Sequence, residues 1–107
     1  SYIVYMGKNI YVDIDDTIMD YEPGEDSTEY SLARPIDMNI DKINKLYDEG
    51  NTITYYTARG SVSGIDYYEL TRDQLGEAGA KYHNLITGEK PAYDLMICDK
   101  TKRIEEI

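Results

Sequence analysis

Three aspartates stand within four positions of the segment VDIDDTI, residues 12–18, directly behind a run of apolar residues. Like charges this close repel each other unless a proton or a cation lies between them. Asp13 and Asp15 are two residues apart, so on an extended backbone both side chains point to one side and Asp16 points to the other. Such a pair of carboxylates suits a hard divalent cation such as Mg²⁺, which prefers oxygen ligands.

Strand and helix patterns alternate around these aspartates, and they predict how the carboxylates are positioned. The predicted elements are strands at Ile10–Ile14, Thr52–Thr57, Lys81–Ile86 and Tyr93–Cys98, helices from Pro35 to a stop at Gly50 and over Asp66–Gly79, and a short C-terminal helix. This order predicts an α/β fold with a mainly parallel sheet, in one domain spanning residues 1–107. Residues 1–8 are expected to form an extra strand or an N-terminal extension, and residues 18–34 a flap or loop.

The residues that follow the predicted strands carry the remaining chemistry. They are Thr57, Ala58 and Arg59 after one strand, Asp99 after the last strand, and Lys90 on the loop before it. Ligands of an open parallel sheet bind outside the carboxyl ends of the strands, so we expect these side chains to converge there. Carboxylates, a hydroxyl and basic groups together suit a divalent metal ion and an anionic substrate, with Asp13 and Asp99 as the carboxylate ligands of the metal.

The composition limits the partners of this chain. Eleven basic residues stand against 21 acidic ones, and the formal net charge of -10 repels phosphate backbones and anionic membrane surfaces. We therefore expect neither nucleic acid nor a membrane as a partner. The single cysteine, Cys98, cannot form an internal disulfide, and no apolar stretch has the length of a membrane span, which together predict a cytoplasmic protein.

In this order the motifs resemble those of the haloacid dehalogenase (HAD) superfamily. VDIDDTI matches the first motif, Asp-x-Asp-x-Thr after an apolar strand, at Asp13, Asp15 and Thr17. The other three motifs are similar to TITYYTARG with the strand-closing Thr57, GEKPAYD with Lys90, and DLMICDK with Asp99. The chain is further similar to short, capless HAD phosphatases of polysaccharide or capsule biosynthesis, which have relatives in phages.

The resemblance implies a three-layer Rossmann-like fold without a large cap domain, and Mg²⁺-dependent hydrolysis of a sugar phosphate or another small phosphorylated metabolite. Asp13 would attack the phosphoryl group, and Asp15 would protonate the leaving oxygen and then activate water. The phosphate would be held by Thr57, Ala58 and Lys90. Mg²⁺ would neutralise charge between the phosphate, Asp13, the Asp15 carbonyl and Asp99.

Several alternatives stay open from the sequence. The same fold could act as a nucleotide phosphatase or a phosphotransferase. Cys98 stands where an acidic residue is usual, which also allows a catalytically degenerate module that binds phosphate or a protein. Arg59 could contact a second anionic group of the substrate or pair with surface acids. A site without a cap is open, so a second subunit of a homo-oligomer could supply the missing wall.

Overall fold

The computed structural model of this chain describes residues 6–89 and 104–107. Four predictions lie wholly or largely outside these residues: the N-terminal strand, Lys90, the strand at Tyr93–Cys98, and Asp99. The elements of the described part are β1 (Asn9–Asp13), β2 (Met19–Asp20), β3 (Arg34–Pro35), α1 (Asp37–Asp48), β4 (Thr52–Thr57), α2 (Tyr68–Glu77) and β5 (Asn84–Thr87), with 3-10 turns at Tyr30–Leu32 and Ile104–Glu106.

Strands β1, β4 and β5 form a parallel three-stranded sheet in that order. The register pairs Asp13 of β1 with Tyr56 of β4, and Thr57 of β4 with Thr87 of β5. Helix α1 connects β1 to β4 and helix α2 connects β4 to β5, as parallel neighbours require. The carboxyl ends of all three strands therefore lie along one edge of the sheet.

The core lies between one face of this sheet and the helices. It contains Ile10, Val12, Ile14, Ile18, Met19, Ile40, Ile43, Leu46, Ile53, Tyr55 and Leu75. The strand members alternate along β1 and β4, as the two-residue period of a strand dictates. In α1 the members Ile40, Ile43 and Leu46 recur at helical spacing, and each buried side chain of this size contributes about 1.5–3 kcal/mol relative to exposure.

Helix α2 is shorter than predicted. It spans Tyr68–Glu77 instead of the predicted Asp66–Gly79, and the Asp66 carboxylate accepts the backbone N–H of Tyr68 at 2.9 Å in a turn just before the helix. Leu75 faces the core as predicted, whereas Leu70 is only half-buried and Thr71 is fully buried. The Thr71 hydroxyl donates to the Tyr67 carbonyl at 2.7 Å, which makes burial of this polar side chain tolerable.

Residues 18–34 contain more structure than a loop. Met19 and Asp20 of β2 pair with Pro35 and Arg34 of β3 in a two-stranded antiparallel ribbon, which the sequence did not predict. Strands of two residues carry no periodicity, so their pairing depends on the chain around them. In the described residues the fold is a compact α/β structure with no separate cap between β1 and α1. Neither α-helix of this part is long and apolar enough to span a membrane.

Candidate functional site

The end of β1 and the end of β4 lie side by side at the carboxyl edge of the sheet. Asp13 is the last residue of β1 and is half-buried, and Thr57 is the last residue of β4 and is buried. The backbone N–H of Ile14 donates to the Tyr56 carbonyl at 3.1 Å, which continues the ladder one residue beyond β1. The sheet therefore brings the first two sequence motifs together.

A tight turn that begins at Ile14 follows β1. The Ile14 carbonyl accepts the backbone N–H groups of Thr17, Ile18 and Met19 at 3.0–3.2 Å, and Asp16 has a left-handed φ of 67°. Asp15 itself forms an isolated β-bridge with Met19. Asp15 is half-buried, whereas Asp16 is exposed.

The Asp15 carboxylate points to groups that belong to β4 and to the loop after it. Its Oδ2 accepts the Thr57 hydroxyl at 3.0 Å and the Arg59 Nε–H at 3.0 Å, and its Oδ1 accepts an Arg59 Nη2–H at 2.8 Å. The Tyr21 hydroxyl lies 3.5 Å from Oδ1. Two nitrogens of one planar guanidinium thus bind both oxygens, a geometry that fixes the direction of the carboxylate.

The Arg59 side chain is fully buried, and each of its five N–H groups has an acceptor. Nε–H and one Nη2–H donate to Asp15, the other Nη2–H faces the Met19 sulfur at 3.9 Å, and the two Nη1–H groups donate to the Thr71 hydroxyl and the Gln74 side-chain oxygen. A guanidinium has five donors and no more. In this arrangement Arg59 has no donor left for a second anionic group of a substrate, and its carboxylate partner is Asp15 and not a surface acid.

The same arginine contacts the 18–34 segment. Its guanidinium carbon lies 5.1 Å from the centre of the Tyr30 ring, and the Gln74 side-chain amide donates to the Tyr30 carbonyl at 2.7 Å. The Tyr30 ring also packs edge-on against Tyr67 at 4.8 Å between centroids. The segment that was predicted as a flap or loop is therefore attached to helix α2 next to Asp15.

The surroundings of Asp15 change the protonation equilibrium of Tyr21. Partial burial, followed by the negative charge of Asp15, raises the pKa of Tyr21 to about 12, and the charge of Arg59 opposes this in part. The hydroxyl therefore stays protonated, and able to donate to Asp15, throughout the physiological range.

The structure describes five of the predicted site residues. Asp13, Asp15, Thr57 and Arg59 lie at the adjoining ends of β1 and β4, and Ala58 follows Thr57 with its carbonyl accepting the Ser61 N–H at 2.8 Å. Lys90 and Asp99 lie outside the described residues.

The oxygen atoms at the end of β1 are of the type that Mg²⁺ prefers. Residues 6–89 and 104–107 hold no group of three His, Cys, Asp or Glu side chains arranged for a metal ion. They supply the Asp13 carboxylate and the Asp15 carbonyl, which accepts no backbone hydrogen bond from any described residue. The chemistry of these donors fits Mg²⁺. Asp15 would take part through its carbonyl, since Thr57 and Arg59 occupy its carboxylate.

Sequence reasoning missed four residues of this network: Tyr21, Tyr30, Thr71 and Gln74. Thr71 and Gln74 are three residues apart on α2, so they face the same direction and receive the two Nη1–H groups together. That spacing is visible in the sequence, but nothing there says that their common face meets Arg59. The tyrosines carry no spacing signal.

No family model and no curated protein sequence matches this chain. The fold is similar to the crystal structure of a structural-genomics target from Vibrio cholerae, with a TM-score of 0.72 and 21% sequence identity. The likeness covers 92% of this chain and 85% of that chain. At this identity it supports the compact α/β fold alone.

Proposed function

We propose that this chain is a Mg²⁺-dependent phosphatase of the HAD type that hydrolyses a small phosphomonoester, with a sugar phosphate as the first class to test. The observation that carries the proposal is the Thr57 hydroxyl bound to Asp15 at 3.0 Å across the adjoining ends of β1 and β4. It joins two motifs that lie 42 residues apart in the sequence. The finer fold assignment, a three-layer Rossmann-like HAD domain over residues 1–107 without a large cap, is part of this proposal.

The residues supply two successive displacements at phosphorus. A carboxylate oxygen of Asp13 attacks the phosphoryl group, the bond from phosphorus to the leaving oxygen breaks, and Asp15 gives that oxygen a proton. Asp15 then takes a proton from water as the water oxygen attacks the aspartyl-phosphate. This step releases inorganic phosphate and regenerates Asp13. Two smaller barriers thus replace one high barrier.

The remaining groups hold charge in place during these displacements. Ala58 lies next to Thr57 at the end of β4, and together with the predicted Lys90 these residues would bind the phosphoryl oxygens. Asp13, the Asp15 carbonyl and Asp99 would hold Mg²⁺, which when bound offsets the negative charge of the phosphoryl group.

Hydrolysis of p-nitrophenyl phosphate and a panel of sugar phosphates, with and without Mg²⁺, tests the proposal. Asp13→Asn removes the nucleophile at nearly constant volume and should reduce kcat by at least about 10⁴-fold, as loss of a covalent nucleophile does in other hydrolases. Asp16→Asn is the matched control, because Asp16 is exposed and asparagine tolerates its left-handed φ of 67°. Activity that survives Asp13→Asn would contradict the nucleophile assignment, and Asp16→Asn should keep the wild-type rate.

A second candidate function is a degenerate module that binds phosphate without turnover. It is favoured by the environment of Asp15, whose two oxygens already accept donors from Thr57 and Arg59. A proton can be placed on Asp15 only where one of these donors gives way. Beryllofluoride with Mg²⁺ mimics an aspartyl-phosphate, so a thermal midpoint that beryllofluoride and Mg²⁺ do not raise would favour the module over the enzyme.

A further inference from the structure

We propose that Arg59 is a positioning residue that sets the direction of the Asp15 carboxylate for proton transfer and joins it to the 18–34 segment. The inference rests on the proposed function, because it assigns Arg59 a task in that reaction. The sequence left Arg59 between substrate contact and surface pairing, and the buried network gives it neither role.

Arg59 is buried beside a partly exposed carboxylate. Its side chain has no exposed surface, while the carboxylate it binds keeps 26% of its own surface exposed. Removing a guanidinium from water is costly unless its donors are satisfied, and here all five have acceptors. The arginine thus approaches Asp15 from the protein side, while part of the carboxylate stays exposed to solvent.

Groups on α2 and the Tyr30 ring orient the Arg59 guanidinium. Thr71 and Gln74 on α2 bind Nη1, on the side of the fork away from Asp15. The Tyr30 ring lies 5.1 Å from the guanidinium carbon. A planar group held by a helix and by an aromatic ring has one orientation available, and a bidentate partner takes its direction from it. The direction of Asp15 is therefore set by α2 and by Tyr30 through Arg59.

Gln74 connects Arg59 to the 18–34 segment at Tyr30. Its side-chain oxygen accepts from Arg59 and its side-chain N–H donates to the Tyr30 carbonyl at 2.7 Å. A displacement of the 18–34 segment at Tyr30 would therefore disturb Arg59 by two routes, the ring and the amide. While these contacts are in place, the 18–34 segment is held beside Asp15 at Tyr30.

A leaving-group comparison distinguishes positioning from a merely structural ion pair. The p-nitrophenolate anion is stable without a proton, whereas an alkoxide from an alkyl phosphate must be protonated as it leaves. Arg59→Met should lower kcat for the alkyl phosphate by about 10²-fold, the usual contribution of general acid catalysis, and for p-nitrophenyl phosphate by less than about tenfold. The KM of both should stay within about threefold, since Arg59 offers the substrate no donor.

Milder variants keep the test valid if Arg59→Met does not fold. Gln74→Leu removes one anchor of Arg59 and should give the same selective loss at about tenfold. Arg59→Lys retains the charge without the planar fork and should not restore the alkyl phosphate rate. Arg72→Met is the matched control, because Arg72 is an exposed arginine on the same helix, and both rates should be unchanged.

A readout without turnover separates this inference from the proposed function. In the ¹H–¹⁵N spectrum the Nε–H of Arg59 should be protected from exchange with water, and Asp15→Asn should reduce that protection. Rapid exchange in the wild type, or equal losses for both substrates in Gln74→Leu, would overturn the positioning role while phosphatase activity stands. A wild type that hydrolyses neither substrate would overturn the proposed function, and with it the catalytic role of Arg59.

Discussion

At the scale of single residues, the environment of Asp15 determines what the end of the sheet can do. Asp13 and Asp15 are close in sequence, but they differ in position: one ends a strand and the other follows it in a turn. Thr57, Arg59 and Tyr21 all donate toward Asp15. The proposed roles of Asp13 in attack and Asp15 in proton transfer call for two carboxylates in different environments.

The charge of Asp15 should affect the titration of the Tyr21 hydroxyl. Burial and the Asp15 charge raise the pKa of Tyr21 from 10.0 to about 12, so the folded protein holds this proton more tightly than the unfolded chain does. The resulting stabilisation is fully present below pH 10 and is lost as the pH rises through 12. Asp15→Asn removes the charge and should lower the pKa of Tyr21, as measured by NMR titration of ¹³C-labelled tyrosine rings assigned with Tyr21→Phe.

Asp26→Asn is the control for this titration. Asp26 lies in the same segment, but its carboxylate binds Thr28, and those hydrogen bonds hold the pKa of Asp26 below its usual value. The substitution should leave the Tyr21 pKa unchanged. A Tyr21 pKa that does not move in Asp15→Asn would contradict the assigned cause.

At the scale of elements, a side chain takes part in joining β4 to β5. His83 lies just before β5. Its ring nitrogen Nδ1 accepts the backbone N–H of Ile53 at 3.0 Å, and the backbone N–H of His83 donates to the Ile53 carbonyl at 2.8 Å. The ring stacks on Tyr47 of α1 at 4.7 Å. A side chain thus extends the ladder between β4 and β5 by one residue, which explains why the strand begins at Asn84 and not at the predicted Lys81.

The loop after Arg59 contains two glycines, Gly60 and Gly64, that differ in the space around them. Gly60 has a φ of 87°, and a Cβ there would lie 2.1 Å from the Ile65 carbonyl oxygen, whereas Gly64 has a φ of 75° with open space around it. Gly64→Ala should therefore cost only the backbone term of about 1 kcal/mol, and Gly60→Ala about 2–3 kcal/mol or more, because the loop must also move. Chemical denaturation measures both, and equal losses would show that the contact with Ile65 is not maintained.

At the scale of the whole molecule, charge repulsion opposes the compact state. The formal net charge is -10, and residues 20–29 hold five carboxylates, of which Glu22 and Glu25 pair with Arg34 at 3.3 and 3.1 Å. Exposed pairs of this kind contribute at most about 1 kcal/mol each. The long-range repulsion is therefore only partly offset by local pairing.

Sodium chloride should for this reason stabilise the protein at neutral pH. Raising its concentration from about 0.01 to 0.15 M shortens the Debye length from roughly 30 to 8 Å. A gain of about 1 kcal/mol would raise the thermal midpoint by roughly 4–8 °C. The control is the same pair of salt concentrations near the isoelectric point of about 4.4, where the effect should vanish. A midpoint that falls with salt at neutral pH would show that attractive pairs dominate instead.

Local sequence patterns predicted β1, α1 and β4 and indicated the edge of the sheet at which the polar side chains lie. The β-branched run Thr52–Thr57 forms β4 with the predicted bounds, and the helical period after Pro35 places α1 within two residues of its predicted limits. These features depend on local periodicity and on stop signals, which a sequence states directly. The order of the strand-end motifs predicted that Asp13 and Thr57 meet, because parallel strands align their carboxyl ends.

The partners of individual side chains depended on how the elements pack together. Arg59 pairs with Asp15 across 44 positions and with Gln74 across 15, and no periodicity joins these residues. The pairing depends on where α2 packs against the sheet and on a turn with a left-handed Asp16, both of which are outcomes of packing. A local pattern specifies which face of an element is buried, whereas the contacts of a buried polar group follow from the whole arrangement around it.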